Sequence, residues 1–249
     1  MNVLLALEVD FPLPLLLEAV GTRLRRPDSS LPDYLLSRSR AGCNHRDLEA
    51  GAASVSPGIV TRFFPFHKRS VAIAAWLARW ITAGCVPILT LNVQRSVQRP
   101  GDLVADAWHH QMVWGVSGQE VYLANPLEVT QERHLLPQLD SASELLIRRG
   151  DVVERFTNTT DIMELNYLGP RWRELNVLGQ VVNVLREERS MKREVVAAQD
   201  NSSHEPVMVM TPHVKIPASY TAGITLFCAT SNQEGLRRLE EAQELPPKK

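Results

Sequence analysis

The 249-residue sequence predicts an α+β fold, in which N-terminal helices pack on an antiparallel β-sheet. Three observations carry this expectation. Ile73, Trp76, Leu77, Trp80 and Ile81 recur three and four residues apart, the apolar stripe of a core-facing helix. Trp172, Leu175, Leu178, Val182 and Leu185 repeat that spacing within an amphipathic helix over 171–188. Between the two stripes, His109–Val116 and Gln119–Ala124 are short strand-like runs separated by Ser117-Gly118, which reads as a hairpin. Helical segments come first and strands afterwards, which favours separate helical and antiparallel layers over a βαβ alternation.

The elements follow in order. Met1–Leu7 reads as a short helix, Val9–Pro12 as a break, and Pro14 suits the first turn of a second helix that Gly21 stops. Leu31–Ser37 reads as a third helix. Residues 38–57 turn to Gly, Ala, Ser, Arg and Asn, the composition of a loop. Ile59–Phe66 is a strand whose Pro65 confines it to an edge or bend. The helix carrying the first stripe stops at Gly84, and Val86–Val93 is the next strand. After Pro126 the pattern predicts helical pieces at Ala142–Arg148 and Asp151–Phe156. A polar linker is expected near 189–204, short strands at Pro206–Thr211 and Tyr220–Ala229, and a charged helix from Gly235 that frays at Pro246-Pro247. The predicted organisation is a core over 1–130 and a C-terminal α/β extension, 131–249, packed on it.

Composition narrows the function. Twenty-seven basic against 28 acidic residues leave no cationic excess for a polyanion, so no nucleic-acid partner is expected. With 44% hydrophobic and 22% charged residues the chain is not a disordered one. Its two long uncharged stretches, Trp80–Gln94 and Ile216–Gln233, are interrupted by Gly and Pro, so no membrane partner is expected either. Three cysteines, at 43, 85 and 228, leave one unpaired, and no basic residue precedes Arg23 to form an export signal; both point to a cytoplasmic protein. The sequons at Asn158 and Asn201 then read as chance. Cys43-x-His45 and the His204/His213 pair lack zinc spacing and no phosphate loop is present, so neither a metal nor a cofactor is expected.

The densest chemistry lies in Trp108-His109-His110-Gln111-Met112-Val113-Trp114-Gly115 and Tyr122-Leu123-Ala124-Asn125-Pro126. On a strand His109 shares a face with Gln111 and Val113, while His110 shares the other with Met112 and Trp114. The hairpin brings Asn125 level with the histidines. An amide oxygen there accepts one ring N–H, fixes the tautomer, and leaves the other nitrogen to exchange a proton with a nucleophile.

These residues resemble the catalytic-histidine half of papain-like cysteine peptidases, above all the compact bacteriocin-processing (double-glycine) branch. The resemblance lies in His109 with Gly115 six residues on, the hairpin, the Asn125-Pro126 step, and Gly84 followed by Val86-Pro87-Ile88-Leu89. It covers roughly residues 1–130 and implies a papain-like fold, with His109 as the proton shuttle and Asn125 as its orienting partner. In that family a Gln precedes the nucleophilic Cys, which opens the first long helix. Met1–Leu7 followed by Val9–Leu13 looks like the continuation of that helix, so both residues would fall before residue 1. The expectation is a cysteine-peptidase-like chain that keeps the His109/Asn125 half of the site and is inactive as it stands. A longer form would hydrolyse peptide or amide bonds. Among the cysteines present, Cys43 is the first substitute nucleophile, since Cys85 and Cys228 sit in core-like strands. A non-catalytic module binding a peptide or protein is the rival reading, and an unrelated α+β domain the third.

Overall fold

The computed structural model describes residues 1–96, 107–124, 126–198 and 210–248. Along the chain run helices α1 (Asn2–Ala6), α2 (Leu13–Val20), α3 (Leu31–Arg40) and α4 (His45–Val55), then strand β1 (Ile59–Pro65) and α5 (Ile73–Thr82). Strands β2 (Val86–Asn92), β3 (Trp108–Ser117), β4 (Glu120–Ala124) and β5 (Glu128–Gln131) follow, with α6 (Glu132–Leu139) after them. Next come β6 (Glu144–Arg148), α7 (Arg149–Arg155), α8 (Pro170–Glu174) and α9 (Val177–Ala198). The chain closes with β7 (His213–Pro217), β8 (Gly223–Ala229) and α10 (Gln233–Glu241).

These elements form two compact units, each assembled from separated stretches of sequence: 1–23, 42–143 and 219–249 in the first, 24–41 and 144–218 in the second. In the first unit six strands pair in the order β1-β8-β2-β3-β4-β5, every neighbour antiparallel. The alternation of each strand sorts its side chains between two helical layers. Phe64, Leu89, Leu91, Val113, Leu123, Ile224 and Leu226 face the α5 stripe and Leu135 and Leu139 of α6. Ile59, Phe227, Ile88 and Met112 lie with Val3 and Leu4 of α1, Leu16 of α2 and Ala52 of α4. Strand β8 comes from the stretch read in the sequence as an extension, and it lies inside this sheet.

The helix α5 ends as its sequence predicts. Gly84 sits at φ +76, a left-handed position that costs glycine nothing, and the N–H groups of Gly84 and Cys85 close on Ile81 and Trp80. The expected loop over 38–57 is corrected: it contains α4. Asn44 accepts from the N–H groups of Arg46 and Asp47 at 2.9 and 3.2 Å, while Asp47 accepts from the Asn44 N–H at 2.7 Å. This reciprocal capping box starts a helix whose small residues lack an obvious stripe. After Pro126 the chain adds β5 and α6, which the sequence pattern does not predict.

The second unit corrects three further expectations. Residues 144–148 are strand rather than helix, because Leu145 and Ile147 alternate inward and pair with Ile216 and Val214 of β7. The single helix expected over 171–188 is two. Asn176 takes φ +49 and its side chain accepts from the Gly179 N–H, so it ends one helix and caps the next. The break shifts the buried stripe of α9 to Val177, Val181, Val184 and Leu185, and leaves Leu178 and Val182 half-buried. The α9 helix runs on to Ala198, into the stretch read as a linker. Of the strand expected at Pro206–Thr211, residues 206–209 lie outside the described residues, and pairing begins at His213.

The last helix of the first unit stops at Glu241, short of the expected end. Residues 242–248 instead form an extended strap that buries Leu245, with Ser70 N–H donating to Pro246 and Lys248 N–H to Lys68. Among the described residues no helix is long and apolar enough to cross a membrane. Because one side chain satisfies two orphan N–H groups of α4, Asn44→Ala is expected to lower unfolding free energy by about 1 kcal/mol in urea titrations followed by circular dichroism.

Candidate functional site

The candidate site lies where β2 and β3 meet the stretch that begins at Gly42. The two histidines of β3 have different surroundings. His109 pairs in register with Leu91, its side chain is exposed, and it meets no hydrogen-bond partner among the described residues. Asn125, the other residue expected in the site, lies outside the described residues. His110 pairs with Thr90 on β2, the next strand of the sheet, and alternation turns it to the face that carries Met112 and Ile88.

Both ring nitrogens of His110 are engaged. Nε2 lies 2.7 Å from the carbonyl oxygen of Cys43, and Nδ1 lies 3.0 Å from the Thr90 hydroxyl. A carbonyl oxygen only accepts, so Nε2 carries the proton; in the neutral ring Nδ1 then accepts from Thr90. Burial pushes the His110 pKa below the usual imidazole value, outweighing the Cys43 carbonyl that favours the cation. The ring is thus a neutral, doubly hydrogen-bonded bridge between the sheet and residue 43.

Around it the sequence builds a compact polar cluster. Gly42 takes φ +89, and a side chain at this position would run into the Tyr220 hydroxyl. Tyr220 in turn stacks on Trp108, ring centres 5.6 Å apart and 6° from parallel, and tilts against His110 at 5.8 Å. Arg23 and Gly42 exchange backbone hydrogen bonds of 3.0 and 2.7 Å, and Arg23 pairs with Asp47 at 2.5 Å. His45, the first residue of α4, stacks on Phe63 at 3.7 Å with its Nδ1 buried and without a partner among the described residues. Burial, then Arg46 and His110, push its pKa down to about 4. Cys43-x-His45, unspecific as a spacing, thus belongs to a cluster of titratable groups with Arg23, Asp47 and His110. The Asn44-x-x-Asp47 capping signature was the readable sign of ordered structure at this place.

None of the three thiols is activated. Burial first and Asp47 second raise the Cys43 pKa. Cys85 is pushed up to about 12 by burial and by Cys228, and Cys228 is raised by burial. A nucleophilic cysteine needs the opposite: a thiolate held by positive charge or a helix N-terminus. Among the described residues no three His, Cys, Asp or Glu side chains converge in a way that holds a metal ion. No protein-family model, curated protein or solved structure matches the chain.

Two measurements check this geometry. Long-range proton–nitrogen spectra are expected to report His110 as the Nε2–H tautomer near neutral pH. Thr90→Val is expected to disturb those resonances and to cost about 1–3 kcal/mol, because a buried ring nitrogen loses its donor. The second concerns pH. A folded His45 that titrates near 4 instead of 6.5 binds fewer protons than the unfolded chain between those values. Acidification through that window therefore favours unfolding, and the lowered His110 acts in the same direction. The melting temperature is expected to fall from pH 6.5 to 4, and His45→Phe, which keeps the stack on Phe63, is expected to remove part of the fall.

Proposed function

We propose that the chain is a papain-like, cysteine-peptidase-like protein that binds a peptide or protein segment without hydrolysing it. One observation carries this reading: the histidine that bonds the Cys43 carbonyl has no free nitrogen. A general base needs one ring nitrogen within reach of the proton it abstracts and the other held by an orienting group. Both nitrogens of His110 are already hydrogen-bonded, one of them to the Cys43 carbonyl. His109 has an accessible ring but no orienting partner among the described residues, and no thiol of the chain is held as a thiolate.

The papain-like part of the reading is supported by the His109–Gly115 step and by the β2-β3-β4 meander that carries it between two helical layers. Hydrolysis would require a nucleophile beyond these 249 residues, acting with His109 and Asn125. The test combines quenched fluorescent peptide substrates with an electrophilic thiol probe. The expected result is no turnover above buffer, with slow labelling of Cys43 that His45→Gln leaves unchanged. Rapid labelling of Cys43 at neutral pH that His45→Gln or His110→Gln abolishes would establish a working thiol and sink the binding reading.

A further inference from the structure

Strand β5 ends the six-stranded sheet, so one row of its backbone N–H and C=O groups has no strand to pair with among the described residues. An apolar row leads across the sheet to that edge. Tyr122 on β4 stands directly opposite Val129 on β5, and on its other side opposite Gly115 on β3. The pairing of β3 with β4 slips between Val113 and Gly115, so Trp114 is an extra residue with no counterpart on β4. This bulge delivers the indole onto the Tyr122 face, where the two rings lie 5.0 Å apart. The indole N–H donates to the Leu123 carbonyl at 3.3 Å, which holds the ring in one orientation.

Trp114 is nevertheless 54% exposed and Val129 56%. Helices cover this same face of the sheet further along, at Ile88 and Met112. A preorganised Trp and Tyr beside an open strand edge have the composition and rigidity of a binding anchor. β4 and β5 carry two carboxylates and neither Lys nor Arg: Glu120 on the face of the row, and Glu128, one residue before Val129, on the opposite face. Glu120 also accepts from the Tyr122 hydroxyl at 3.4 Å, which places a carboxylate at the end of the row.

We propose that the Trp114–Tyr122–Val129 row and the open edge of β5 dock an extended segment of a partner protein in which apolar and basic residues alternate. The segment adds a strand to the sheet. Its main chain pairs with β5, its apolar side chains lie on the face of Val129 and Tyr122, and its cations, on the opposite face, meet Glu128. The inference rests on the binding reading above and gives it a surface and a class of partner.

The probe is a short fluorescein-labelled peptide of alternating lysine and valine, titrated against the full chain by anisotropy. The expected result is saturable binding, weakened at least about tenfold by Trp114→Ala and by Val129→Lys in proteins whose melting temperature is unchanged. A glutamate–valine peptide is expected to bind at least about tenfold more weakly, and a lysine–valine peptide N-methylated at alternate amides to lose binding. Absence of saturable binding of the lysine–valine peptide overturns the proposal. Equal binding of the N-methylated peptide overturns strand addition. Binding that survives both variants overturns this surface and leaves the binding reading standing. Self-association of the chain that Val129→Lys abolishes also overturns it, because the face then belongs to a second copy.

Discussion

Strand β8 enters the sheet between β1 and β2, and Gly223 through Cys228 are all buried there. Its ladder runs from Ile59↔Ala229 to Pro65↔Gly223 on one side and from Val86↔Phe227 to Thr90↔Gly223 on the other. Without β8 both of its neighbours expose a row of unpaired backbone groups, and the cores on the two faces each lose a wall. The residues that supply it lie beyond the whole of 144–218, so the first unit closes only when distant ends of the chain meet. The strap over 242–248 strengthens the same closure by burying Leu245 and pairing with the segment at 68–70.

A second closure operates where the chain leaves the first unit after Arg23 and returns at Gly42. Reciprocal backbone bonds and the Arg23–Asp47 pair hold the two ends together. His110 then ties the returning segment to the sheet through the Cys43 carbonyl, and Thr90 completes the ring's hydrogen bonding. The carbonyl and the ring are both groups that burial would penalise if left unpaired. This accounts for a histidine at this register position without any catalytic demand. The same engagement that makes His110 a good structural bridge removes the free nitrogen a proton shuttle requires.

Legibility followed the reach of the interactions. The α5 stripe, Gly84 as its stop and the hairpin at Ser117-Gly118 follow from periodicity and turn chemistry, and the structure has them where the sequence puts them. Helix α4 was hidden because its residues are mostly small and polar, although its capping box spans only four positions. The break at Asn176 was hidden by a residue that suits an exposed helix and a left-handed cap alike, and one missed residue moved the buried stripe of α9 by one. Of the candidate site, the two faces of β3 were readable from alternation. The partners that make His110 a bridge were not, since Thr90 and Cys43 lie 20 and 67 residues away in sequence.

The α+β class, most of the local elements and the opposition of His109 to His110 could be read from residue order alone, because each depends on neighbours a few residues apart. The tertiary structure decided that β8 completes the sheet, that residues 24–41 depart from the first unit and return to it, and that His110 rather than His109 has an ordered hydrogen-bond environment. These outcomes depend on pairings between distant segments, selected by burial and by backbone hydrogen bonding, and no local pattern of residues encodes which distant segment supplies the partner.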